Sequence, residues 1–234
     1  MDIEKLHKEA FGLPADNTMS NRGPGGALVN AQAMGKTPSG NSLIVYSPGR
    51  LEIGFTPNPP SNLVPGAFEP QISDVNGSLS ALIESAGRVS QFSGNALRIA
   101  LVVQLSKPTA DFAEANLIME QALPVGIKLL PSDLDFQFQL NRRTSLQSYP
   151  DIQINRLLRF SVDTVQLFNM PLGPFQPVGM MQNEVVQLHY SPTILMDWNT
   201  VPTGRVFDPQ TQMVVLKDLR HHLDQVRLGS GAFQ

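Results

Sequence analysis

Between residues 134 and 141 apolar and polar side chains alternate without interruption: Leu134, Phe136, Phe138 and Leu140 against Asp135, Gln137, Gln139 and Asn141. A period of two belongs to a strand with one buried and one wet face, and a helix cannot satisfy it. The alternation resumes at residue 152. Ile152, Ile154, Leu158, Phe160, Val162 and Phe168 share one side, with Gln153, Asn155, Arg159, Ser161 and Asp163 on the other. A loop of about nine residues, 143–151, separates the two runs, so an antiparallel hairpin is expected. Its return strand, about 17 residues or roughly 55 Å at the usual rise, is long enough to require a bend or a bulge.

The other elements are read around this ribbon. Ile3, Leu6, His7, Ala10 and Phe11 follow helical spacing. About half of the chain's 18 glycines and 19 prolines then fall within residues 12–77, a density that opposes long helices and central strands. An extended arm is therefore expected over 12–41 and an irregular loop over 56–77. Between them, residues 43–55 read as two short strands about the turn Ser47-Pro48-Gly49. Residues 78–88 predict a helix with Leu79, Leu82, Ile83 and Ala86 on one side.

Residues 97–105 place Leu97, Ile99, Leu101, Val103 and Leu105 on one face and Arg98, Ala100, Val102 and Gln104 on the other. Both faces are at least half apolar, the pattern of a central strand. Pro108 and Thr109 open a helix to Ala122 whose core stripe is Phe112, Ala115, Met119 and Leu123. Strands are expected at 125–130, 184–190 and 213–217. Leu216, Leu219, Leu223 and Val226 mark a last helix ending at Gly229. Residues 168–181 are apolar but broken by proline and glycine; they either cover a sheet edge or offer methionine and phenylalanine to a partner. The expected class is α+β: a twisted, mainly antiparallel sheet with three to four packed helices and Pro/Gly-rich arms. The expected division is an N-terminal helix and extended arm over 1–41 and a single α+β domain over 42–234.

Composition narrows the chemistry. The chain has no cysteine, which excludes disulfides, thiol nucleophiles and thiolate metal sites. Its 17 basic and 20 acidic residues leave a net charge of −3, so the electrostatic footprint of a nucleic-acid binder is missing. The first residues are charged throughout and no apolar run reaches membrane length, so a soluble, cytoplasmic chain with no membrane partner is expected.

Catalytic motifs fare poorly. Residues 30–37 end in Gly35-Lys36-Thr37 like a phosphate loop, but Asn30 stands where that motif needs glycine, and the preferred reading is a basic turn. There is no Gly-x-Ser-x-Gly elbow, and Asp133 with Asp135 reads as a turn rather than a carboxylate pair. For a metal, Asp218 and His222 lie four apart on the last helix beside His221, and His189 is a third candidate from a strand. The spacing is unspecific and the preferred reading is a solvated helix face, so no metal and no cofactor are assigned.

The hairpin's polar side is the unusual feature. It presents Gln137, Gln139, Asn141 and Arg143 on one strand and Gln153, Asn155 and Arg159 on the other. Amides donate and accept, and guanidinium offers a planar fork. The preferred reading is a sheet face bonded across its own strands; the functional one is a recognition surface for a protein or peptide. Arg156 falls on the apolar side between Ile154 and Leu158, where it requires a carboxylate, with Asp135, Asp163 or Glu184 as candidates.

Gln139-x-Asn141-Arg142 followed by Ile154-Asn155-Arg156-Leu157-x-x-Phe160-Ser161 resembles a family of uncharacterised bacterial proteins with a Gln-x-Asn-Arg strand and an Ile-Asn-Arg-Leu-x-x-Trp-Ser strand. The resemblance covers about a quarter of the chain, and phenylalanine replaces the tryptophan. It implies a bacterial origin and no particular activity.

The leading expectation is a non-catalytic protein-binding or assembly protein, chaperone-like, defence-accessory or structural, working as a homo-oligomer through this face and its arms. Its binding residues would be Gln137, Gln139, Asn141, Arg143, Gln153, Asn155, Arg156 and Arg159. The alternatives are a metal-dependent hydrolase on His189, Asp218, His221 and His222, or an anionic-ligand or nucleotide sensor on Arg142, Arg143, Arg156 and Arg159.

Overall fold

The structure, a computed structural model, describes residues 2–37, 40–57, 72, 74–109, 111–123, 126–169 and 184–227. It begins with α1 (Ile3–Phe11), β1 (Asn17–Arg22), β2 (Leu28–Thr37), β3 (Gly40–Ser47) and β4 (Arg50–Thr56). After α2 (Val75–Ser93) come β5 (Ala100–Ser106), α3 (Phe112–Ala122), β6 (Gln137–Ser145), β7 (Gln153–Asn169), β8 (Glu184–Thr200) and α4 (Pro209–Arg227). The strands form two four-stranded antiparallel sheets, ordered β1-β2-β3-β4 and β5-β8-β7-β6, and the class is α+β as expected.

Helix α1 forms where its spacing predicts. The Asp2 carboxylate caps it by accepting from the Glu4 and Lys5 amides at 3.1 and 3.2 Å. Ile3, Leu6, His7 and Ala10 are its buried side. The expected arm over 12–41 is instead a hairpin: β1 pairs with β2 from Asn17↔Met34, and β2 pairs with β3 from Ala31↔Tyr46 to Thr37↔Gly40. The division at 41/42 thus runs through one sheet. Ala31, Ala33 and Gly35 are the buried row of β2, and such small residues carry little of the hydrophobic contrast from which a strand is read. The basic turn expected at 30–37 is this strand. The predicted pair of strands at 43–55 is β3 and β4, joined at Ser47↔Arg50 with Gly49 at φ 74.

The second sheet packs its inner face on α3 and α4. Ile154, Leu158, Met196 and Trp198 meet Ala115 and Met119 of α3 and Val215, Leu219 and Leu223 of α4. α2 touches α1, β4 and α4. Its Leu79 and Ile83 join the larger core, and its Val89 the smaller one.

Several boundaries differ from expectation. Among the described residues β5 is an edge strand, not a central one, with β8 as its one neighbour in the sheet. Residues 126–130 form no strand. There the Leu129 amide donates to Glu120 Oε2 at 3.0 Å and the Leu130 amide to Asp133 Oδ2 at 2.8 Å, while Asn116 Nδ2 donates to the Leu130 carbonyl at 2.7 Å. Side chains thus replace the ladder bonds. The hairpin starts at Gln137 rather than 134, because Asp135 takes a left-handed φ of 55° and turns the chain. Residues 213–217 belong to α4. Asp208 caps that helix by accepting from the Thr211 amide at 2.8 Å, and Pro209 fits its first turn.

β8 continues ten residues beyond the expected 190. Pro192 is tolerated within it because it lies just past Ser106↔Thr193, the last pair with β5. β7 has the expected length, with a register shift at Leu167/Phe168. Residues 58–71 and 73 of the second loop, residue 125, residues 170–181 of the apolar stretch and Gly229 lie outside the described residues. Among the described residues no helix is long and apolar enough to cross a membrane.

Candidate functional site

Strand alternation sorts the candidate residues by face. Gln137, Gln139, Asn141 and Arg143 alternate with the half-buried Phe138, Leu140 and Arg142 along β6, and all four are exposed. On β7, Gln153, Asn155 and Arg159 fall on the same outer face, opposite the inner Ile154, Leu158 and Phe160. Register then brings them together in rows: Gln139↔Arg159 and Arg143↔Asn155 across β6 and β7, and Asn155↔Asn199 across β7 and β8.

These rows are bonded. Arg159 Nε and Nη2 both donate to Gln139 Oε1, at 3.2 and 3.1 Å. Arg143 Nε donates to Asn155 Oδ1 at 3.2 Å, Asn155 Nδ2 to Asn199 Oδ1 at 3.1 Å, and Asn199 Nδ2 to Asp197 Oδ1 at 2.9 Å. A polar relay therefore crosses three strands from a cation to an anion and holds its amides in fixed orientations. Cross-strand pairs of this kind are each worth about 0.2–1 kcal/mol. Leu195, in the Arg159 row, is the diagonal neighbour of Leu157 and of Val102, which flank Asp197 in the next row, so an apolar diagonal bends around this carboxylate.

Asp197, Asn199, Leu195 and Val102 were not among the candidates read from sequence. Residues 193–200 do alternate, Thr193, Leu195, Asp197 and Asn199 against Ile194, Met196, Trp198 and Thr200, but Ser191-Pro192 reads as a break just before them.

Arg156 is on the inner face, opposite Arg142 on β6 and Trp198 on β8. The three proposed carboxylate partners are out of reach. Asp163 is seven residues along β7, about 23 Å, and Asp135 follows at that same end, since the Val162 amide donates to the carbonyl of its neighbour Phe136 at 3.2 Å. Glu184 pairs with Asn169, further still. Burial first, and Arg142 second, lower the Arg156 pKa below the ordinary guanidinium value. Arg142 and Arg156 thus face the helices while Arg143 and Arg159 face outward, so the sheet itself divides the four arginines of the nucleotide-sensing alternative.

The metal candidates are likewise separated. Arg156, next to Trp198, acts on His222, whereas His189 is nine residues up β8 from Trp198, about 30 Å away. Both Asp218 oxygens are engaged by Ser148, from its amide at 2.8 Å and its hydroxyl at 3.0 Å. Among the described residues no group of three His, Asp or Glu is placed to hold a metal ion. The His222 pKa lies below the ordinary imidazole value, held down by burial first, then by Arg156 and His221, against weaker support from Asp218 and Gln225.

One serine and histidine do meet, unforeseen from sequence. His7 Nε2 is 2.9 Å from Ser42 Oγ, and His7 Nδ1 donates to the Leu13 carbonyl at 3.1 Å. Ser42 Oγ also donates to the Gly35 carbonyl at 2.9 Å. Both side chains are fully buried, so no substrate reaches the hydroxyl. The pair fastens α1 to the β2–β3 hairpin.

No family model, curated protein or solved structure matches the chain.

Proposed function

We propose that this is a non-catalytic binding and assembly protein that docks a protein or peptide partner on the outer face of the second sheet. One observation carries the reading. α3 and α4 cover one face of that sheet, while the other presents an apolar diagonal bent around Asp197, bordered on the β6 and β7 side by amides and guanidinium groups held in place by cross-strand bonds. A buried apolar centre within a polar rim is the anatomy of a protein interface. Fixed amides also lower the ordering cost of binding, because their rotamers are set before the partner arrives.

The test is a face variant. Gln137 and Asn141 are exposed, and Gln137→Glu/Asn141→Glu adds two anions to the rim without removing a bond described above. The folded variant is expected to lose the partners that co-purify with the wild-type protein from its native source. An unchanged set of co-purifying proteins refutes the docking face.

A further inference from the structure

We infer that β5 pairs antiparallel with β5 of a second copy of this chain, joining two second sheets edge to edge. The starting point is a conflict between sequence and position. β5 has the two-sided apolar pattern of a central strand, with Leu101, Val103 and Leu105 toward the helices and Ala100 and Val102 on the other side. Yet among the described residues it occupies an edge with a single neighbouring strand, and Val102 is 52% exposed.

Sheet edges are ordinarily defended by charge, proline, a bulge or a covering element. The three other edges have such a device. β1 ends in Arg22 with a register shift at Asn21/Arg22, β4 has the Arg50–Glu52 ion pair, and β6 carries Arg142 and Arg143. β5 reads Ala-Leu-Val-Val-Gln-Leu-Ser, and its ladder with β8 is unbroken from Ala100↔Asn199 to Ser106↔Thr193. It has no charge, no proline and no bulge.

The occupant is a second copy because the edge complements itself. A two-fold axis through Val103 sets Leu101 opposite Leu105 of the other copy, Val102 opposite Gln104, and Ala100 opposite Ser106. Each inward residue meets an inward one, so the two apolar rows become continuous. Beyond the strand the same axis sets Ile99 opposite Lys107 and Arg98 opposite Pro108, so no two cations face each other. An isologous contact also closes on itself and removes both edges at once, where a head-to-tail addition would leave one open. The inference rests on the assembly half of the proposed function and not on the docking face.

Light scattering on the full chain is the test, with a mass of twice 25.6 kDa expected for the wild type. Val102 and Gln104 are both exposed, so charge is introduced there with the core untouched. Val102→Lys sets two cations diagonally across the axis and is expected to weaken self-association by about tenfold or more. Val102→Lys/Gln104→Glu opposes each lysine to a glutamate of the other copy and is expected to restore the dimer. Should Val102→Lys fail to fold, Gln104→Lys makes the same charge test. A wild type that is monomeric at every soluble concentration, a single variant that remains dimeric, or a double variant that remains monomeric each overturns the pairing. Gln137→Glu/Asn141→Glu is expected to stay dimeric while losing its partners, so the two readings fail separately.

Discussion

In the first sheet the row of β2 that faces α1 is Ala31, Ala33 and Gly35; in the second, the inner row of β8 is Ile194, Met196, Trp198 and Thr200. Small side chains let α1 approach the backbone closely. The gap is so tight that a Cβ on Gly35 would stand 2.8 Å from His7 Cε1 and 3.1 Å from the Pro14 carbonyl. That core holds few large side chains, and hydrogen bonds anchor it: His7 to Ser42 and to Leu13, and Arg88 to the Ala10 carbonyl. The second core is built from volume and leaves the Trp198 indole Nε1 buried with no hydrogen-bond partner among the described residues. Close approach makes one core sensitive to added atoms, and bulk makes the other sensitive to removed ones.

Removing the largest buried side chain tests the second half most severely. Trp198→Ala is expected to cost about 3–5 kcal/mol in urea unfolding. A loss under about 1 kcal/mol would mean that the site collapses around the deletion and that volume is not what stabilises this sheet. Gly35→Ala makes the opposite test in the first half, where overpacking against His7 is expected to cost about 1–3 kcal/mol. Hydrogen exchange should show the loss in β2 and α1 with β7 and β8 unchanged; equal loss in both sheets would show that the halves are one cooperative unit.

His7→Phe keeps a ring in place but strips the Leu13 carbonyl of its donor and Ser42 of its imidazole, at about 1–3 kcal/mol. A neutral result would assign the anchor to packing alone. The smallest effect is set by pH. Because the folded pKa of His222 lies below its ordinary 6.5, the unfolded chain binds that proton first, and stability is full above about 6.5 and declines as pH falls toward the folded value. His222→Gln should flatten this part of the stability profile, and an unchanged slope would assign it to another group.

Legibility followed contrast. The β6–β7 hairpin was readable because its faces differ sharply, and so were the stripes of α1 and α2. β2 was not, since its buried row of alanine and glycine differs little from its flanks. The start of β6 was misplaced because a single left-handed residue, Asp135, ends the alternation's geometric meaning without altering its pattern. The second half of β8 hid behind Pro192, a residue that pairing geometry tolerates only because β5 stops there. Of the proposed docking face, the β6 and β7 contributions were visible as a run of amides and arginines. Asp197, Asn199 and the apolar diagonal belong to distant segments that only register brings alongside.

Local alternation and helical spacing, written into neighbouring residues, determined that this chain forms antiparallel strands with amphipathic helices and which side of each is apolar. Which strand stands beside which was decided by tertiary structure alone: that β5 lies at an edge, that His7 meets Ser42, and that His189 and His222 stand far apart. The physical reason is that periodicity depends on residues a few positions away. Neighbourhood in a sheet depends on closing loops of tens of residues, and no short-range pattern encodes the outcome.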